Sequence, residues 1–184
     1  SGSKLDCWKK EGKEVMNKYY FEGKTQEQAI NLALYELNIS EDDLIVNNVE
    51  DKSSLLKKNV KIEVLNIKEI ISFIKDTLNK ITELMGAKSN LEVKRREKSI
   101  SVTIFSENNA ILIGKNGKNV AALQLLIRQM INSKLKEPLS IIIDVGNYKE
   151  KRARSIEYLA KKLAREAYKT KTEVTMDSMN SYER

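Results

Sequence analysis

Between Asn109 and Val120 the chain reads Asn-Ala-Ile-Leu-Ile-Gly-Lys-Asn-Gly-Lys-Asn-Val. Gly114 and Gly117 are separated by Lys115 and Asn116, and Lys118 follows at once. Glycines so placed let a backbone turn sharply and approach a ligand with no Cβ in the way. The helix start behind them carries N–H groups that no intrahelical carbonyl takes up, a setting that favours anions. With two lysines beside those amides, the ligand this arrangement favours is a nucleic-acid backbone. The same residues also make an ordinary helix C-cap followed by a tight turn. The order of the surrounding elements has to decide between the two readings.

That order can be read from hydrophobic periodicity. Ile67, Ile70, Ile71, Ile74, Leu78, Ile81 and Met85 form one stripe of a helix that Gly86 ends. Leu91–Arg95 and Ile100–Phe105 read as strands, the second alternating Ile100, Val102, Ile104, with Arg95-Arg96-Glu97-Lys98 as a hairpin connection. The apolar turn Ala110–Ile113, the glycine loop and a helix from Lys118 follow, the helix burying Val120, Leu123, Ile127, Met130 and Ile131. Pro138 marks its end, and Leu139–Val145 is a strand apolar enough to be central in its sheet. The series α-β-β-α-loop-α-β is the type II arrangement of the K-homology (KH) fold, whose Gly-x-x-Gly loop clamps single-stranded RNA or DNA. In such a fold the bases would lie in an apolar groove lined by Ile111, Ile113 and Val120, with a strand residue such as Ile104. The backbone contacts would come from the N–H groups of Lys115 to Lys118 and the two ammonium groups. Each apolar residue of that groove also has a plain role in the core.

On either side of this region the chain carries a smaller unit and a basic helix. Glu14–Glu22 has strand composition, and a helix follows from Thr25, its N-cap, with Gln28 at the capping-box position. Strands are expected at Leu44–Val49 and Val60–Leu65, joined by the charged turn Glu50–Asn59, which makes a β-α-β-β unit. The acidic cluster Glu41-Asp42-Asp43 reads as a solvated turn. After Gly146 comes a helix over Tyr148–Tyr168, with an apolar stripe (Ala153, Ile156, Leu159, Ala160, Leu163, Ala164, Ala167) and an otherwise basic surface that includes Arg152 and Arg154. Lys171–Asp177 reads as a strand. The fold class is α+β and multi-domain, with divisions at 14–66, 67–146 and 147–184.

Charge and composition narrow the chemistry. The formal net charge is +7 over 184 residues. Residues 1–85 hold 13 Lys and Arg against 15 Asp and Glu, residues 86–146 hold 10 against 5, and residues 147–184 hold 10 against 6. A near-neutral first part thus leads into a basic remainder, which suggests a polyanion partner, although Lys-rich surfaces also serve solubility. Cys7 is the one cysteine and there is no histidine, so a disulfide within the chain, a thiolate or His-ligated metal site and His-based acid–base catalysis are all excluded. The loop is not a Walker A motif, which needs four residues between its glycines and Lys-Ser/Thr after the second, and no Gly-x-Ser-x-Gly elbow occurs. No catalytic residue, metal or cofactor is expected. No apolar run is long enough to cross a bilayer, and Ser1-Gly2-Ser3 reads as a cleavage scar. The chain is expected to be cytoplasmic.

The stretches LIGKNGKNVAALQLL at Leu112–Leu126, DVGNYKEKR at Asp144–Arg152 and MDSMNSYER at Met176–Arg184 resemble the Jag family, bacterial RNA-binding proteins named as associated with a sporulation membrane-protein insertase. The resemblance runs through nearly the whole chain and is strongest from Ile67 onward. It implies an N-terminal insertase-associated domain, a type II KH domain and an Arg-x-x-x-His domain that binds single-stranded nucleic acid, with Arg184 as the arginine of that name. The histidine, helix and strands that the family implies after it do not follow in this sequence, so the third domain is expected to be partial. The family's glycine-containing Lys-Lys-Gly turn between the last N-terminal strands is also missing, replaced by Asp51 to Lys58, which retains Lys57 and Lys58.

The expected function is that of a non-enzymatic regulator that binds single-stranded RNA, or single-stranded DNA, through Gly114, Lys115, Asn116, Gly117 and Lys118, the groove residues, and Arg152, Arg154 and Arg184. The alternative is a protein adaptor for a membrane insertase or a small KH-domain partner. The cellular setting implied by the family is envelope growth or sporulation. Nucleotide preference and oligomeric state cannot be read from the sequence.

Overall fold

The computed structural model describes residues 16–51, 59–179 and 183–184. Its backbone falls into two compact units. One runs up to Leu78 and takes in Met130–Leu139; the other comprises Asn79–Gln129 and Ser140–Arg184.

In the first unit the strands β1 (Tyr19–Gly23), β2 (Leu44–Asp51) and β3 (Val60–Asn66) form an antiparallel sheet in the order β1-β3-β2. Against it packs helix α1 (Gln26–Leu37). Thr25 caps α1 as its sequence position predicts: Thr25 Oγ1 accepts the Gln28 N–H (3.2 Å), and Gln28 Oε1 reaches back to accept the Lys24 N–H (3.3 Å). Asn38 closes the other end in a left-handed conformation. Val64 lies opposite both Tyr19 and Val46, and Ile62 opposite Phe21 and Val49. Ile62 and Val64 thereby meet Ala29 and Ala33 of α1, two residues small enough to let helix and sheet approach closely. The strand expectation for Glu14–Glu22 resolves to Tyr19–Gly23, part of it lying outside the described residues. Most of the Asp51–Lys58 turn, with Lys57 and Lys58, lies outside them too.

Asp43 departs from the solvated-turn reading. It is buried, its carboxylate accepting from Ser40 Oγ (2.8 Å) and pairing with Lys68 Nζ (2.8 Å), while Glu41 and Asp42 stay exposed. A short 3-10 turn at Glu41–Asp43 turns one acidic residue of the three inward, and a buried carboxylate must find donors.

Helix α2 (Ile67–Leu84) begins in the first unit and ends in the second, burying Ile67, Ile70, Ile74 and Leu78. The second unit continues with β4 (Ser89–Arg96), β5 (Ser99–Ser106), the short helix α3 (Asn109–Ile113), helix α4 (Lys118–Asn132) up to Gln129, β6 (Ser140–Val145) and helix α5 (Tyr148–Thr170). The α-β-β-α-loop-α-β order is the expected one, and the class is α+β. β4 and β5 are a hairpin closed by Glu97-Lys98, with Arg95 and Arg96 still in the ladder. β5 and β6 run parallel, Ile100, Val102 and Ile104 beside Ile141, Ile143 and Val145. All six are buried. A parallel pair requires a crossover, and here the crossover is α3, the glycine loop and α4.

Two expectations change. Among the described residues β6 is an edge strand, with β5 in the centre. Only alternate residues of β6 are covered, Ile142 being turned outward, so its apolar content reflects one deeply buried face rather than two covered ones. Lys171–Asp177 is not a strand: no ladder among the described residues includes it, and strand-forming side chains without a neighbouring strand to pair with do not make one.

Candidate nucleic-acid interface

The glycine loop is built by its backbone. α3 ends at Gly114 with φ 68° and ψ 179°, a region essentially closed to residues bearing a Cβ. Asn116 (φ 53°) and Gly117 (φ 76°) also have positive φ, so three of the loop's four residues leave the usual regions. The Gly117 N–H donates to Gly114 O (3.3 Å) and the Lys118 N–H to Lys115 O. The amides not committed to the turn itself are therefore those of Lys115 and Asn116, a narrower set than the four predicted. Lys115, Asn116 and Lys118 are exposed and Gly117 is buried.

Two side chains that the sequence spacing does not flag lie against this turn. Asn119 Nδ2 donates to Ile111 O across the loop (2.8 Å). Its amide occupies the space beside Gly114, where a Cβ would stand 2.5 Å from Asn119 Cγ. On the other side the ring of Tyr148 fills the space beside Gly117. Neither contact leaves a periodic signal; only the closeness of Asn119 to Gly114 in the chain hints at the first.

Of the predicted groove residues, Ile111 is exposed (46%) and Ile113 half-buried, whereas Val120 (4%) and Ile104 (0%) belong to the core. Val120 faces inward because it is the third residue of a helix whose buried stripe continues through Leu123 and Ile127. Apolar surface beside the loop thus comes from Ile111 and Ile113.

Helix α5 starts immediately behind the loop's second glycine. Asn147, left-handed at φ 58°, makes no side-chain cap bond. Asp144 takes that part, its Oδ1 accepting the N–H groups of Val145 (2.9 Å) and Lys149 (3.2 Å). Lys149 Nζ donates to Gln124 Oε1 (2.9 Å), which also accepts the Ile143 N–H (3.1 Å). Burial pushes the Tyr148 hydroxyl pKa up, a rise that the Arg152 guanidinium opposes and Glu183 reinforces.

The cations of α5 differ in what they offer. Arg152 Nε donates to Glu183 Oε1 (2.8 Å), and that bond holds the guanidinium pKa above its ordinary value. Arg154 is exposed and pairs with Glu150 one turn away (2.5 Å), and Lys161 pairs likewise with Glu157 (2.6 Å). Surface pairs of this kind contribute little and exchange readily. Arg184 is exposed. Among the described residues no helix is long and apolar enough to cross a membrane.

Residues 72–143, which contain the loop, match the family described as "KhpA/KhpB, KH domain", and residues 21–65 match that described as "Jag N-terminus". The chain is 31% identical over 173 residues to RNA-binding protein KhpB of Clostridium symbiosum, covering 88% of this chain and 75% of that protein. It is 28% identical over 167 residues to the protein of the same name from Bacillus subtilis, covering 88% and 80% respectively. A shorter match, 30% over 109 residues, is to KhpB of Lactiplantibacillus plantarum, covering 59% of this chain and 34% of that one. With a Jag N-terminus, a KH domain and the loop of that domain at the α3–α4 joint, the chain belongs to the KhpB (Jag) family.

Proposed function

We propose that this chain is a non-enzymatic, cytoplasmic binder of single-stranded RNA, gripping the phosphate backbone with the Gly114–Gly117 loop. The observation that carries the reading is the loop itself: positive φ angles at three of its four residues, Lys115 and Asn116 amides that the turn does not use, and the exposed Lys115 and Lys118. Amides and ammonium groups so arranged position a backbone without reading its sequence. Ile111 and Ile113 supply the apolar surface on which a base rests. The names of the relatives, each an RNA-binding protein, support the choice of RNA. We take 67–146 as the KH domain, 14–66 as the Jag N-terminal domain, and α5 with the residues after it as the partial third module, where Arg154 and Arg184 extend the positive surface.

An adaptor role toward a small KH-domain protein or a membrane insertase is the second reading. It is favoured by Leu125 and Leu126, adjacent exposed leucines on α4.

Salt separates the two. Binding of a fluorescent single-stranded RNA oligomer should weaken linearly on a log–log plot against salt, with a slope of about −0.7 per phosphate contacted. Affinity for RNA that is absent at low salt, with capture of a protein partner that salt leaves unchanged, would favour the adaptor.

A further inference from the structure

Tyr148 is placed to control the loop. A Cβ on Gly117 would meet Tyr148 Cε1 at 2.6 Å and its hydroxyl oxygen at 3.0 Å, so the ring lies directly against the backbone at the loop's far end. The backbone that carries the ring is anchored. It belongs to the first residue of α5, whose start is tied down by Asp144 to the Lys149 amide and by Lys149 Nζ to Gln124. One turn further on, Arg152 is clasped by Glu183, a carboxylate only 9% exposed. On the opposite side of the turn the Gly114 end has its own brace in Asn119.

We propose that Tyr148 is a positioning residue for polyanion binding, its ring fixing the Gly117 end of the loop so that the Lys115 and Asn116 amides hold one orientation. The inference rests on the RNA-binding reading above. It assigns Arg152 a different part from Arg154: with its Nε engaged by Glu183, Arg152 ties a residue beyond α5 back to the second turn of the helix. The same pair brings the next residue, the exposed Arg184, to the end of α5 from which Tyr148 reaches the loop.

The test compares wild type, Tyr148→Phe, Tyr148→Ala and the loop variant Lys115→Asp/Asn116→Asp by RNA anisotropy, with melting temperature and the amide NMR resonances of Lys115–Lys118 recorded for each. Phe keeps the ring and should bind as wild type does. Ala should shift or broaden the loop amides and raise Kd about tenfold, the value of one charge-assisted hydrogen bond lost, with melting temperature nearly unchanged. Folded Tyr148→Ala that binds like wild type, while the loop variant does not, overturns the proposal and leaves the RNA reading intact. Wild type that fails to bind RNA overturns both. Should the Ala variant not fold, Tyr148→Leu takes its place, and failure of both to fold makes Tyr148 a stability residue and overturns the proposal.

Discussion

Asn119 Nδ2 donates to the Ile111 carbonyl, one of the oxygens at the end of α3 that no intrahelical amide reaches. Replacing Asn119 with Ala removes that donor, and because the carbonyl is near solvent the loss should be modest, about 1 kcal/mol. In a chain of this length that corresponds to a melting temperature lower by roughly 3 °C, readable by calorimetry; an unchanged value would mean the bond contributes nothing. Gly114→Ala should cost more. Its methyl group would have to displace the Asn119 amide 2.5 Å away and sit on a backbone at φ 68° and ψ 179°, strain of about 1–3 kcal/mol by itself. Urea unfolding of the two variants and of their combination tests the contact: removing the Asn119 amide should relieve the steric part of the Gly114→Ala penalty and leave the backbone part.

At the scale of elements, the bulge in β2 does what a regular ladder could not. The register between β2 and β3 shifts between Val46 and Asn48, and the residue left over, Asn47, is buried. Its amide nitrogen donates to Glu63 Oε1 and to Lys134 O (3.2 Å), and its oxygen accepts the Lys136 N–H (2.7 Å). The sheet is thereby tied to the Met130–Leu139 segment of the same unit through one side chain. Asn47→Ala takes their side-chain partner from two backbone groups, Lys134 O and the Lys136 N–H, and one of its donors from Glu63, and should cost about 2–3 kcal/mol in urea unfolding. Glu63 also accepts from Tyr20 (2.9 Å) and pairs with Lys18 (2.8 Å). Burial works to raise its pKa, but the bonds from Lys18, Asn47 and Tyr20 prevail and hold it below the usual 4.5. With the folded value the lower one, the unfolded chain binds the proton first, so this stabilisation is present above pH 4.5 and drains away as pH falls through the folded value. Glu63→Gln should flatten that acid limb of the stability profile; an identical limb in the variant would place the titration elsewhere.

Over the whole molecule, what was legible in the sequence divides along local and non-local lines. Helix α2, expected over Ile67–Met85, runs Ile67–Leu84, and the crossover with its glycine loop falls where the periodicity puts it, because period and caps are local properties. Strand order is not: nothing in Leu139–Val145 says that, among the described residues, β6 pairs on one side only. The strand expected at Lys171–Asp177 fails for the same reason, since its side chains suit a strand but no partner is available among the described residues. At the site, the glycines, Lys115 and Lys118 were legible from spacing. The partners that shape them were not: Tyr148 touches Gly117, and Glu183 clasps Arg152, from 31 positions away in each case. Val120 and Ile104 take the core role that the sequence left open beside the groove role, because an apolar residue next to a ligand loop and one beneath it look alike in a sequence.

The central claim is that the Gly114–Gly117 loop holds an RNA backbone, and the most direct measurement is anisotropy of a mixed-sequence single-stranded RNA across a salt series, wild type against Lys115→Asp/Asn116→Asp. Both positions are exposed, so the variant should fold with a wild-type melting temperature while setting two negative charges against the phosphates. The account predicts a steep salt slope for wild type and binding lost, by at least about a hundredfold, in the variant, the equivalent of two charge-assisted contacts. Equal binding by the two proteins, with equal slopes, would contradict it and move the RNA site to the cations of α5.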